Sequence, residues 1–74
     1  AVSTARLQRA LLAWRQDTAR AEGRREAMIL RDDTVAAVAA ARPTDLDELA
    51  EVRGVGPVTL ERYGRAILDQ LRRA

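Results

Sequence analysis

Apolar residues recur at the three- and four-residue spacing of helices along most of this chain, and β-branched residues never alternate as they would in a strand. The stripe of the first segment consists of Leu7, Leu11, Trp14, Thr18 and Ala21. Ser3 or Thr4 can cap this segment and Gly23 can end it, which predicts a helix running to about Glu22. Because Trp14 lies on the stripe, we interpret it as a core anchor and not as a base-stacking surface.

The chain continues with a short connection and a second helix. Residues 24–31 contain a brief apolar run, which we expect to form an extended or single-turn segment over the core. Asp32 or Asp33 can cap the next helix, predicted over about residues 33–41, and Pro43 stops it because the residue before a proline avoids helical geometry. The inner face of this helix is predicted to consist of Val35, Val38 and Ala39.

Two further helices are predicted on either side of the turn Gly54-Val55-Gly56. Thr44 can cap the first of them, and Pro57 suits the first position of the second, which runs to about Arg72. Val55 is expected to point inward, while the glycines permit a tight turn and close approach by another molecule. This helix-hairpin-helix arrangement predicts unpartnered N–H groups at the start of the last helix, which can bind phosphate; the alternative is a tight turn with no ligand.

The apolar face of the last helix completes the predicted core. It consists of Leu60, Tyr63, Ile67, Leu68 and Leu71. Gly64 is expected to allow close packing against another helix, while Glu61 and Arg65 are spaced to form an ion pair. The predicted fold is all-α, a compact bundle of four to five short helices in a single domain, residues 1–74, with an ordered core of about 4–72.

Composition narrows the possible chemistry. The chain has no Cys, His or Lys, and all thirteen of its basic residues are arginine. This removes thiol nucleophiles, histidine acid–base chemistry, Schiff bases and the usual zinc ligands, so we predict no catalytic centre, metal site or cofactor in this domain. No apolar run approaches the roughly 20 residues of a membrane span. The net charge is only +2, so any nucleic-acid binding would depend on local clusters of positive charge.

Arginines near the hairpin are the candidates for nucleic-acid binding. The candidate residues in and after the turn are Arg53, Gly54, Val55, Gly56, Thr59, Arg62 and Arg65. Arg24 and Arg25, with Arg31 nearby, form a second basic cluster in the connecting segment. Arginines of either group can neutralise phosphates, or they can be solvated side chains that keep a small domain soluble.

An ordered set of motifs carries a family resemblance. The motifs are Arg42-Pro43-Thr44, Val52-Arg53-Gly54-Val55-Gly56 and Leu60-Glu61-Arg62-Tyr63-Gly64. With the stripe of the first helix and with Asp32-Asp33-Thr34-Val35, they make the chain resemble the HRDC domain (helicase and ribonuclease D C-terminal) over nearly its whole length.

The resemblance implies a non-catalytic accessory domain, with a bacterial RecQ-type DNA helicase as the first choice of parent and a UvrD-like helicase or ribonuclease D as alternatives. A parent helicase would use ATP and Mg²⁺ outside this domain. The implied partners are single-stranded or branched DNA, bound weakly during repair or recombination, and the helicase core or sister domains of the same chain. The implied location is the bacterial cytoplasm, at the nucleoid, with no membrane association.

The chain departs from the family pattern where DNA contact is expected. Ala27 stands where bacterial RecQ proteins often carry an aromatic residue, and Val58 and Thr59 stand where basic residues are common. A stacking aromatic contributes about 1–3 kcal/mol per base, so its absence would weaken single-strand binding. An acidic run before the turn would also repel DNA, and it consists of Asp45, Asp47, Glu48 and Glu51. This run can serve helix capping and solubility, or it can contact a basic protein partner, which makes a regulatory module with little DNA affinity the second hypothesis.

Overall fold

The computed structural model describes residues 2–74, which form five helices and no β-strand. The helices are α1 (Thr4–Glu22), α2 (Glu26–Ile29), α3 (Asp32–Ala41), α4 (Leu46–Ala50) and α5 (Pro57–Arg73). The first helix packs against α2, α3 and α5, and α4 packs against α5. The all-α bundle predicted from the periodicity is confirmed.

The ends of α1 are where its sequence predicts them, but its buried face differs. Ser3 Oγ accepts a hydrogen bond from the Arg6 N–H at 3.1 Å, and Gly23 ends the helix in the left-handed conformation with φ 65°. The buried positions are Leu7, Leu11, Arg15 and Ala19. Ala21 is exposed, so its assignment to the core was wrong. Trp14 is partly buried and packs against the core, as expected for an anchor.

The connection after α1 forms the expected single helical turn, α2, and leads into α3. Ile29, the last residue of α2, and Leu30 after it are both buried. The inner face predicted for α3 is confirmed. The predicted aspartate cap of α3 was wrong: Arg31 is the N-cap residue and its side chain makes no capping hydrogen bond. Asp32 is already helical, and its carboxylate accepts a hydrogen bond from Arg15 of α1.

The cap of α4 lies one residue later than predicted. Asp45 is the N-cap residue, and its Oδ1 accepts from the Glu48 N–H at 2.8 Å. Glu48 Oε1 reaches back and accepts from the Thr44 N–H at 2.8 Å and from the Thr44 hydroxyl at 3.0 Å. The predicted Thr44 cap was wrong because Asp45, three residues before Glu48, has the better spacing for the reciprocal capping arrangement.

The face predicted for the fifth helix lies on the core. Tyr63, Ile67 and Leu68 are buried, and the flanking leucines of the stripe are partly buried. A Cβ added at Gly64 would lie 2.8 Å from Leu46 Cδ2, which confirms that this glycine permits close packing of α5 on α4. The Glu61–Arg65 ion pair does not form among the described residues, so that expectation was wrong.

Candidate nucleic-acid interface

The turn between α4 and α5 is anchored from inside the molecule. Val52 and Val55 are each 9% exposed, and the Val55 N–H donates to the Val52 carbonyl oxygen at 3.1 Å. Gly54 has φ 92°, and a Cβ there would lie 2.3 Å from Thr34 Oγ1. We expected the glycines to admit another molecule. At Gly54 the group that approaches is Thr34 of α3, so this glycine serves the packing of the turn on its own domain.

The second glycine of the turn has different surroundings. Gly56 is exposed, and a Cβ there would meet nothing within 4 Å. It is the N-cap residue of α5 and makes no side-chain cap, while the next residue, Pro57, has no N–H. Val58 is 67% exposed and Thr59 is half-buried. The first turn of α5 therefore lacks a capping side chain, whereas α4 has one. The predicted anion site requires backbone N–H groups without an internal acceptor.

The three arginines of the hairpin region do not converge on one point. Arg53, Arg62 and Arg65 are exposed, and none of them forms an ion pair with another described residue. Arg62 lines a small depression with Glu22 and Tyr63. Arg65 instead lines a larger depression near the start of α4, and Arg53 lies in the turn itself. The surface offers separate phosphate contacts, not one pocket.

The second basic cluster is partly occupied by internal contacts. Arg24 Nη1 donates to Tyr63 Oη at 3.0 Å and lies 3.5 Å from Glu22 Oε1. Tyr63 Oη donates in turn to Glu22 Oε1 at 2.6 Å. Arg24 thereby ties the end of α1 to α5, beside the depression that Arg62 lines. Arg25 is exposed at the N-cap of α2 and is the freer of the two candidates.

All four residues of the acidic run are exposed, and they divide by role. Asp45 and Glu48 are engaged in capping α4. Asp47 and Glu51 form no ion pair among the described residues. Asp45 and Asp47 line the same depression as Arg65. An incoming phosphate would meet repulsion from more than one carboxylate there, against the single glutamate in the depression that Arg62 lines.

Neither aromatic side chain is fully exposed: Trp14 is partly buried and Tyr63 is buried. Tyr63 is 7% exposed, and the edge of its ring contacts Trp14 with centroids 5.7 Å apart and planes at 75°. These two are the only aromatic side chains of the chain. At the position where a surface aromatic was expected by resemblance, Ala27 is exposed. DNA contact by this domain would depend on phosphate recognition and not on base stacking.

Sequence reasoning missed the most connected polar residue, Arg15. Its side chain is 9% exposed, and its Nη1 donates to the Leu30 carbonyl oxygen at 2.9 Å and to Asp32 Oδ1 at 2.8 Å. Its Nη2 lies 3.3 Å from Glu26 Oε1. Arg15 therefore holds α2 and the start of α3 against α1. The available signal was its spacing, since it lies eight residues after Leu7 on the same helical face.

Two comparisons with known proteins identify the family. The HRDC domain model matches residues 4–71. The solved structure of HRDC domain 3 of D. radiodurans RecQ is similar to this chain, with a TM-score of 0.94 and 35% sequence identity over 97% of this chain and 95% of that one. No match to a curated protein sequence is found. Among residues 2–74, no helix is long and apolar enough to cross a membrane. The fold, the hairpin and both matches agree, and the chain belongs to the HRDC domain family.

Proposed function

We propose that this domain is a non-catalytic accessory module of a RecQ-type DNA helicase and that it contacts single-stranded or branched DNA weakly through the hairpin. One observation carries the proposal: the start of α5 at Gly56 has no side-chain cap, and the same turn carries Arg53, an exposed arginine without an ion-pair partner among the described residues. Backbone N–H groups at a helix start and a nearby guanidinium are the groups that bind phosphate without reading bases.

Further contacts extend this surface along α5. Arg62 provides a second phosphate contact, and Arg25 a third at the start of α2. Arg24 and Arg65 contribute less, because Arg24 is engaged with Tyr63 and Arg65 has carboxylate neighbours. A surface of a few separate arginines with no stacking aromatic predicts weak, sequence-independent binding that salt abolishes.

The parent chain would supply the rest of the activity. ATP and Mg²⁺ would bind to its motor core, in the bacterial cytoplasm at the nucleoid, and this domain would modulate how the motor holds DNA during repair or recombination. The similar domain of D. radiodurans RecQ is named as domain 3. A parent with several HRDC domains is consistent with weak contacts. Linking the domains raises the effective concentration of each one near the DNA, which compensates for the low affinity of a single domain.

The proposal is tested by an amide NMR titration of the 74-residue domain with a single-stranded oligonucleotide and with a forked duplex, at low and moderate salt. We expect the largest shifts between Arg53 and Thr59 and smaller ones at Arg62 and Arg25. With three arginines engaged, the slope of log K against log salt should be about −2, at about −0.7 for each phosphate neutralised on a single strand. Arg53→Ala should flatten this slope by about 0.7.

Arg9 provides the matched control, because it is exposed on α1 and forms no ion pair among the described residues. Arg9→Ala removes the same charge away from the hairpin and should leave the shifts at Arg53 to Thr59 in place. Equal effects of Arg9→Ala and Arg53→Ala would show that net charge alone accounts for the binding. An absence of shifts at low salt would contradict DNA contact by this domain.

A second candidate function is a protein-contact module that regulates the helicase with little DNA affinity of its own. The observation that favours it is the surface before and after the turn, where Asp47 and Glu51 are unpaired and exposed and Val58 is 67% exposed. Carboxylates beside an apolar side chain suit a basic protein surface with an apolar contact. Deletion of the domain would then change DNA binding by the whole helicase while the isolated domain gave no shifts with DNA.

A further inference from the structure

An apolar groove lies on a different part of the molecule from the hairpin. It runs between the beginning of α1, the connection from α3 to α4 and the end of α5, and it encloses about 460 Å³. Its apolar lining consists of Val2, Leu7, Pro43, Leu68 and Leu71. This volume lies within the usual range for sites that hold a small ligand or a few peptide side chains, about 300–1,000 Å³.

Two arginines and no carboxylate complete the lining, together with the hydroxyl residue Thr44. Arg42 is held by the beginning of the chain, because its Nη2 donates to the Val2 carbonyl oxygen and to the Thr4 hydroxyl, the latter at 3.5 Å. Arg72 is exposed and has no ion-pair partner among the described residues. A mostly apolar lining with two arginines and no carboxylate is complementary to an apolar side chain flanked by carboxylates.

The backbone at Arg42 is unusual as well. It is the one non-glycine residue in the described part of the chain with positive φ, at φ 51° and ψ 55°. Its N–H donates to the Val38 carbonyl oxygen at 3.0 Å and closes the end of α3. This conformation turns the chain into Pro43 and places the Arg42 guanidinium at the rim of the groove. A left-handed residue is a common way to end a helix, and here Pro43 follows it.

We propose that this groove is a docking site for an acidic, leucine-containing segment of a partner protein. The lining favours a peptide over a nucleic acid, because five of its eight residues are apolar and would bury an aliphatic side chain without contacting a phosphate. The groove shares no residue with the hairpin candidates, although Thr44, Leu68 and Arg72 also line the depression that Arg65 lines. It would let the domain recruit an acidic protein through residues other than those of the hairpin turn.

The test uses a fluorescein-labelled, amidated pentapeptide, Asp-Asp-Leu-Asp-Leu, titrated with the 74-residue domain in low salt and followed by anisotropy and amide NMR. We expect shifts at Val2, Leu71 and Arg72 and none at Gly56. Replacing each Asp of the peptide with Asn, or each Leu with Ala, should abolish the shifts. Arg72→Glu should weaken binding at least about fivefold, because it turns an attractive contact into a repulsive one.

Matched variants separate groove binding from net charge and from misfolding. Arg9→Glu changes the charge by the same amount on exposed α1 and should leave the peptide affinity unchanged within about twofold. Val2→Glu places a carboxylate in the groove at the edge of the fold and should abolish binding while the helical circular dichroism stays unchanged.

Three results would overturn the proposal. The first is equal loss of binding in Arg9→Glu and Arg72→Glu, which would indicate charge attraction without a groove. The second is stronger shifts of the groove residues with a single-stranded oligonucleotide than with the peptide, which would assign the groove to nucleic acid. The third is concentration-dependent shifts of the same residues without any ligand, which would indicate that a second copy of the domain covers them.

Discussion

The two helices of the hairpin begin in opposite ways. At the start of α4, Asp45 and Glu48 supply carboxylate oxygens to the N–H groups of Glu48 and Thr44. At the start of α5, Gly56 has no side chain to offer and Pro57 has no N–H to satisfy. The positive end of the α4 dipole is therefore neutralised by its own residues, whereas that of α5 remains accessible to an external anion.

The two glycines of the turn show the same division. Gly54, with φ 92°, lies against Thr34 and belongs to the packing of the fold. Gly56, with φ −90°, lies in open space and belongs to the surface. Both glycines are exposed, but the space beside Gly54 is filled by Thr34 and the space beside Gly56 is open. Only the Gly56 side of the turn has room for a ligand.

The largest expected effect is on stability, when each of the two glycines is replaced with alanine in turn. Gly54→Ala should lower the free energy of unfolding by about 2–4 kcal/mol, because it strains a left-handed residue and collides with the buried Thr34 side chain. Gly56→Ala should cost about 1 kcal/mol or less, through weaker capping alone. Urea unfolding followed by circular dichroism measures both, and equal costs would contradict the division of the turn.

Removal of the α4 cap should have the next largest effect. Asp45→Ala should destabilise the domain by about 1 kcal/mol, since the Glu48 N–H loses its acceptor. Glu48→Gln is the matched control, because an amide oxygen can still accept from Thr44, and it should change stability by less than half of that amount. Thermal unfolding of the two variants gives the comparison. A larger loss in Glu48→Gln would show that its charge, and not its hydrogen bond, stabilises the start of α4.

The start of α5 can be made to resemble that of α4. Gly56→Asp should raise stability by a few tenths of a kcal/mol through a new cap, yet weaken single-stranded DNA binding about fivefold by placing a carboxylate at the phosphate site. Gly56→Asn caps the helix without the charge and should keep more of the DNA affinity. Fluorescence anisotropy with a labelled oligonucleotide measures this. If Gly56→Asp left the DNA affinity intact, the phosphate site would have to lie elsewhere.

The smallest effect is expected from the unpaired carboxylates beside the turn. The double variant Asp47→Asn, Glu51→Gln should tighten DNA binding about twofold at low salt, and the gain should vanish near 0.15 M salt as screening shortens the reach of these charges to about 8 Å. Asp17→Asn is the control on α1, at an exposed carboxylate that forms no ion pair among the described residues. Equal tightening per charge removed would show that net charge, and not the position of the carboxylates beside the turn, limits DNA binding.

Sequence alone determined the local features of this protein. The ends of α1, the inner faces of α3 and α5, the position of the hairpin turn and the close approach at Gly64 all followed from periodicity, caps and glycine placement. These features depend on residues within a few positions of one another, so a linear pattern contains them. The motifs across the chain also indicated the family.

Tertiary structure decided what depends on residues distant in the chain. Asp32 became an acceptor for Arg15 instead of a helix cap, although 17 positions separate the two. Thr34 used the space that Gly54 leaves, and Arg62 and Arg65 came to line separate depressions despite their short spacing. The physical reason is that burial and partner choice depend on which elements pack together, and a helical pattern shows which face is covered but not what covers it.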